Sequence, residues 1–193
     1  MCNLYTQTRS VDGIIAMTRA LQMDIRFPEG APNLAPRDIA ITDPGPIVRA
    51  TESGEHELVV RRWSWPGPGG KPVFNFRGEG RRFAPAERCV VLADGFYEFT
   101  APEDPKARKK DRWLFEWPEH AWFGVAGIVR SDPKVGEAFT LLTCAPGPDI
   151  APYHDRQVVL LSPAECFGWL DAASVAADFV RPLAAGSLTV ARA

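Results

Sequence analysis

The sequence is poor in the residues that build metal and redox centres. Its 193 residues include three histidines and four cysteines, and no two cysteines are spaced as a zinc pair or a redox C-x-x-C. Structural zinc and dithiol chemistry both need that spacing, so neither a metal nor a cofactor is expected. Long hydrophobic runs are also missing. None approaches the roughly 20 residues of a membrane helix, and no basic stretch followed by an apolar one marks a secretory leader. The expectation is a cytoplasmic protein without a membrane span. A strong charge of one sign is lacking too: the net charge is −2 and the pI about 5.9, so the chain as a whole has no bulk attraction to polyanions. Cys89, Cys144 and Cys166 lie in apolar runs and read as buried thiols packed as small hydrophobes.

What is present suits one folded, loop-rich domain over residues 1–193. Val11, Ile14, Ile15 and Leu21 share a helical face over 11–22, and Ser10 can cap its start. A proline-studded stretch over 26–46 reads as irregular. Runs rich in Val, Ile, Phe, Trp and Thr follow at 46–50, 57–63, 88–93, 95–99, 113–117, 122–129, 138–144 and 157–161. Ser162-Pro163-Ala164-Glu165 is a helix start with a capping box; the helical segment runs to about 180 with a break near Asp171, and a short strand at 187–191 ends the chain. Many strands with helices near the two ends predict an α+β fold, with a curved, mixed or antiparallel, barrel-like sheet and a few peripheral helices.

Four places can carry chemistry. Trimming of Met1 before a small residue would leave Cys2 as the N-terminus. A terminal cysteine holds an amine, with a pKa near 8, and a thiol on adjacent carbons, so it can condense with an aldehyde and close a five-membered thiazolidine. In the run 73–79, Asn75, Arg77 and Glu79 alternate against Phe74 and Phe76, which reads as a polar strand face opposite an aromatic one. In 93–99, Asp94-Gly95 is a turn signal and Glu98 sits among aromatics, where a carboxyl can act as acid or base. His154, followed by Asp155 and Arg156, precedes the apolar run 158–161 and can move a proton near neutral pH. Segment 61–88 departs from the mean charge, with seven basic against two acidic side chains and with Trp63 and Trp65 among them. Interleaved cations and aromatics suit a single-strand nucleic-acid groove. The run 106–112 is a second basic stretch, fit for a solvated loop face or for a phosphate contact. Each of these places, taken singly, also fits an ordinary structural role.

Their order and joint identity resemble the SOS response-associated peptidase family: Met-Cys at the start, Asn75-x-Arg77-x-Glu79, Ala93-Asp94-Gly95-Phe96-Tyr97-Glu98, and His154-Asp155-Arg156 before an apolar strand, with Asn33-Leu34-Ala35-Pro36 and Arg62-Trp63 as further landmarks. The resemblance covers roughly 1–170. It implies covalent shielding of abasic sites in single-stranded DNA through a thiazolidine, by a monomer that joins the nucleoid when bound. It also implies roles: Cys2 supplies amine and thiol, Asn75 bonds the linked sugar, Glu98 handles protons, His154 assists the Schiff-base and ring-opening steps, and Arg62, Trp63, Arg77 and Arg156 contact the DNA. Lyase activity and self-removal of Met1 are accompanying expectations. Against the family's usual pattern, Asn3-Leu4 replaces Gly-Arg, Trp63-Ser64-Trp65-Pro66 replaces a Trp-Gly-Leu-Ile-Pro-type run, and Gln157-Val158 replaces Met-Pro, while Cys2, Asn75, Glu98 and His154 are all kept.

Two other classes compete. An N-terminal-cysteine amidohydrolase or peptidase would use the Cys2 thiol as nucleophile. A non-covalent reader of damaged or modified single-stranded DNA would use Trp63 and the basic residues, and salt would abolish its binding.

Overall fold

β-branched and aromatic runs pack well on a pleated, half-buried surface, and here they become strands. The computed structural model describes residues 2–20, 24–104, 106 and 108–193. In chain order the strands are β1 (Leu4–Gln7), β2 (Ile25–Arg26), β3 (Arg37–Ala40), β4 (Pro44–Ala50), β5 (His56–Trp63), β6 (Trp65–Pro66), β7 (Pro72–Val73) and β8 (Asn75–Arg77). They continue with β9 (Arg88–Ala93), β10 (Gly95–Thr100), β11 (Asp111–Glu116), β12 (Phe123–Asp132), β13 (Gly136–Cys144), β14 (Gln157–Val158), β15 (Leu160–Leu161) and β16 (Thr189–Arg192). The helices are α1 (Val11–Ala20) and α2 (Pro163–Leu170).

Five strands close on themselves. The antiparallel ladder β5-β4-β9-β12-β13 is sealed by a parallel pairing of β13 with β5, Ala138 beside Arg62 and Phe139 beside Trp63. A closed barrel removes the exposed edges an open sheet would offer. A second sheet, in the order β16-β11-β10-β1-β3, shares one apolar cluster with the barrel: Tyr5, Ile39, Phe96 and Phe115 meet Ile47, Val59, Trp63, Val91 and Phe139. Gly45 permits that approach, because a Cβ there would stand 2.2 Å from the Tyr5 hydroxyl. A second cluster holds Val48, Leu58 and Val90 of the barrel together with Cys166, Trp169 and Leu170 of α2. The α+β, barrel-like expectation is met.

Local signals account for both helices. Ser10 Oγ accepts from the Gly13 N–H at 3.2 Å at the start of α1; the expected last turn, 21–22, lies outside the described residues. Ser162 and Glu165 close their capping box, Oγ accepting from Glu165 N at 3.3 Å and Oε2 from Ser162 N at 2.9 Å. The helix stops at Leu170, and only a short 3-10 turn, Ala176–Asp178, follows in the segment expected to be helical to about 180.

Other differences come from tertiary pairing. Residues 26–46, read as irregular, hold β3 and the start of β4, because β3 pairs with β1, itself too short to show a period. The single run 157–161 divides: β14 pairs with β13 and β15 with β12. Asp94-Gly95 is no hairpin turn. β9 and β10 lie in different sheets, and the bend carries the chain from the barrel to the second sheet.

Candidate active site around Cys2

Cys2 precedes β1, and β1 pairs with β10 through Tyr5 opposite Phe96 and Thr6 opposite Gly95. That register brings the start of the chain beside Glu98. Cys2 is 1% exposed, and its Sγ–H donates to the Leu4 carbonyl at 3.3 Å. Its own carbonyl accepts from Asn75 Nδ2 at 2.7 Å, and its backbone N–H donates to the Glu98 carboxylate. One residue is thus gripped on both sides of its Cα by groups 73 and 96 positions along the chain. Asn75 is placed by β8, which lies parallel to β13 with Asn75 beside Leu141. Its Oδ1 is buried and has no hydrogen-bond partner among the described residues.

Burial sets the proton chemistry. Glu98 is 1% exposed, and desolvation of its charged form lifts the carboxyl to about 7. Burial first, and the Glu98 charge second, push the Cys2 thiol up to about 12. At neutral pH the centre therefore holds a carboxyl near its midpoint beside a thiol that keeps its proton.

His154 sits on a turn in which Tyr153 and His154 both donate backbone bonds to the Ile150 carbonyl, at 2.8 and 3.0 Å. The Tyr153 ring packs on Trp113 and Phe115 of β11 at 4.9 and 5.2 Å, and Trp113 is the cross-strand partner of Glu98. The turn is thereby anchored beside Glu98, and the Asp155 charge reaches the Glu98 carboxyl. His154 Nδ1 lies 3.0 Å from the Arg156 N–H and 2.8 Å from Asp155 Oδ1. The backbone donor is fixed and the Asp155 side chain is 88% exposed, so the resting ring accepts at Nδ1 and carries its proton on Nε2. Burial lowers its proton affinity, and Asp155 becomes its partner when it is protonated.

The residues expected to hold DNA divide. Arg77 is exposed on β8, two positions from Asn75 and so on the same side of the strand. Arg156 forms a bidentate pair with Glu79 at 2.5 and 2.6 Å and reaches Thr143 Oγ1 at 3.1 Å, so its fork is already engaged. Arg156 holds the Glu79 carboxyl down at about 2. Arg62 is half-buried, with one nitrogen 3.3 Å from the Thr42 carbonyl.

Trp63 corrects the expectation of a base-stacking aromatic. It is 0% exposed, its Nε1 donates to the Phe74 carbonyl at 2.9 Å, and Tyr5 and Phe74 meet it edge-on. The cause is register: at the parallel seal of the barrel Trp63 points inward, and Trp65 is buried as well. Within 61–88, Arg61 pairs with Glu29 and Glu137, and buried Arg88 binds backbone carbonyls, which leaves Lys71, Arg77, Arg81 and Arg82 as its exposed cations. Phe74 and Phe76, expected on one face, join different clusters.

Two contributors were missed from the sequence. Asp94 holds the chain that leaves β1: its carboxylate accepts from the Thr8 N–H, from Thr8 Oγ1 at 2.6 Å and from Arg9 Nε at 3.2 Å. Glu79 fixes Arg156. Its place two residues after Arg77 was visible, but its partner 77 positions away was not.

A chain whose Cys2 is held between an asparagine and a buried glutamate, on a five-stranded barrel, defines a class. The chain matches the family described as SOS response associated peptidase (SRAP) over residues 1–192, and it belongs to that family. It is 27% identical over 184 residues to the abasic site processing protein HMCES of Gallus gallus, a match covering 83% of this chain and 49% of that protein. The chain thus spans about half the length of this curated relative. Solved structures share the fold. A protein from Bacteroides thetaiotaomicron superposes with a TM-score of 0.74 at 16% identity, over 99% of this chain and 91% of that one. One from Bordetella bronchiseptica gives 0.72 at 22%, over 100% and 99%, and a phage-related protein of the same organism 0.72 at 18%, over 100% and 94%.

Proposed function

We propose that the protein captures abasic sites in single-stranded DNA covalently through Cys2, acting as a monomer in the cytoplasm. Membership of the family and similarity to an abasic site processing protein support the substrate class. The observation that carries the reading is the double grip on Cys2: Asn75 on its carbonyl at 2.7 Å, and a carboxyl near 7 at its nitrogen.

The chemistry follows from that placement once Met1 is removed. The α-amine adds to the ring-opened aldehyde of the abasic sugar, and loss of one water leaves a Schiff base. The thiol sulfur then bonds to the same carbon, and the thiol proton goes to the nitrogen, closing a thiazolidine. The balance is the release of one water, without oxidation or reduction. Glu98, close to half-protonated at neutral pH, takes the proton of the attacking amine and returns it to the departing hydroxyl. His154 assists proton movement from Nε2, Asn75 Oδ1 accepts from a sugar hydroxyl, and Arg77 meets a flanking phosphate.

The competing classes each lose a requirement. A thiol nucleophile for amide hydrolysis needs a lowered pKa, and Cys2 is shifted the other way. A stacking reader needs an accessible aromatic, and Trp63 is in the core.

The test is intact-mass spectrometry after mixing with an oligonucleotide carrying one abasic site. The expected product is protein without Met1 plus DNA minus one water, and Cys2→Ala gives no borohydride-independent adduct. A Met1-free wild type that forms no adduct would refute the reading.

A further inference from the structure

One charged surface has no part in the chemistry above. The connection between β10 and β11 carries Lys106, Arg108, Lys109 and Lys110, all exposed. The neighbouring carboxylates are committed elsewhere. Glu103 and Asp111 both pair with Arg192, Asp111 Oδ2 also accepts from the Glu103 N–H at 3.1 Å, and Asp104 accepts from the Lys106 backbone N–H at 2.9 Å. Among the described residues, none of the four cations lies in an ion pair. Crowding like charges without partners is unfavourable for the free protein, and it makes a strong local field for an anion.

The position of this field matters. Glu98 pairs with Trp113 and Thr100 with Asp111, so β10 ends, and gives way to the connection, two residues beyond the buried carboxyl, about 7 Å along the strand. Trp113 in turn carries the Tyr153 ring that anchors the His154 turn. The Lys110 charge is felt at the His154 ring, where it disfavours protonation. These cations therefore border the Cys2 centre, and they stand on a different element from Arg77, Arg81 and Arg82.

We propose that the β10–β11 connection is a second phosphate-binding edge, on which Lys106, Arg108, Lys109 and Lys110 take backbone phosphates of the DNA strand flanking the captured sugar. The inference rests on the abasic-DNA reading and adds to it which surface tracks the strand. A membrane surface is a poorer fit. Amphipathic membrane anchors insert large apolar side chains, and the exposed large hydrophobic side chain among the described residues, Val175, is not on this connection.

The test measures affinity for an unmodified single-stranded oligonucleotide across a salt series. Phosphate contacts release counterions, and each contributes about −0.7 to the slope of log K against log salt for single strands. Joint replacement Lys106→Ala, Arg108→Ala, Lys109→Ala and Lys110→Ala is expected to make the slope shallower by about 2–3. The charge-keeping set Lys106→Arg, Lys109→Arg and Lys110→Arg is expected to restore it. An unchanged slope in the alanine variant, with its melting temperature kept, overturns the proposal. So does a shallower slope that the arginine set shares. Wild type that shows the slope but gives no adduct with abasic DNA would count against the covalent reading, and the phosphate edge would stand.

Discussion

Glu98 shows how burial resets the proton affinity of a single residue. Desolvation of the charged form outweighs the groups that favour it, so its carboxyl lies at about 7 instead of the ordinary 4.5. Glu98→Gln keeps the shape and removes the proton traffic. The expected result is a fall in capture rate of about 10²–10⁴-fold with unchanged affinity for undamaged single strands; a rate within a few-fold of wild type would contradict the role. The same shift has a consequence for stability. The folded state keeps its proton up to about 7, while the unfolded chain loses it near 4.5, so the stabilisation is complete below 4.5 and is lost as pH rises through about 7. Between about pH 5 and about pH 8, the melting temperature of wild type should drop relative to that of Glu98→Gln. Parallel curves would show that the group ionises normally. Cys2 and Glu98 were legible as residues because their chemistry needs a particular position or setting. Trp63 was not: a tryptophan beside arginines reads equally as a stacking platform or as core, and only the inward register of β5 decides.

Among the elements, β1 governs reach. It is four residues long, yet it lies between β3 and β10 and holds Cys2 against Glu98. Asp94 secures its far end through Thr8 and Arg9. Asp94→Asn removes the charge from those bonds, at an expected cost of about 1.5–3 kcal/mol in a urea unfolding experiment. Capture should slow as well, because the terminal amine is less firmly placed. A variant as stable as wild type would show that the backbone ladder alone fixes the strand. β1 escaped the sequence reading for a physical reason: four residues give no period, and its pairing partners, β3 and β10, are remote in sequence. The longer strands β9, β12 and β13 were legible because they are buried on both faces and read as continuous apolar runs.

At the scale of the molecule, a closed barrel and a second sheet meet over one apolar cluster, and Cys2 is built into that cluster. Two surface clefts, of about 760 and 290 Å³, are lined by Ala50–Thr51 with Phe167–Gly168 and by Asn33–Ala35 with Pro44, away from Cys2. With Cys2 and Glu98 each 1% exposed, the centre is a buried junction, bordered by Arg77 on one element and by the β10–β11 cations on another. Such a junction suits a single covalent capture at a sugar held by its flanking phosphates. Counting the alkylatable thiols of the denatured adduct with abasic DNA tests this most directly. The free protein has four cysteines, and a thiazolidine consumes the thiol of Cys2. The account predicts one alkylation fewer in the adduct than in the free protein, with Cys2 the protected residue. Full alkylation of an adduct that borohydride can reduce would mean a bond to the amine alone, and would contradict it.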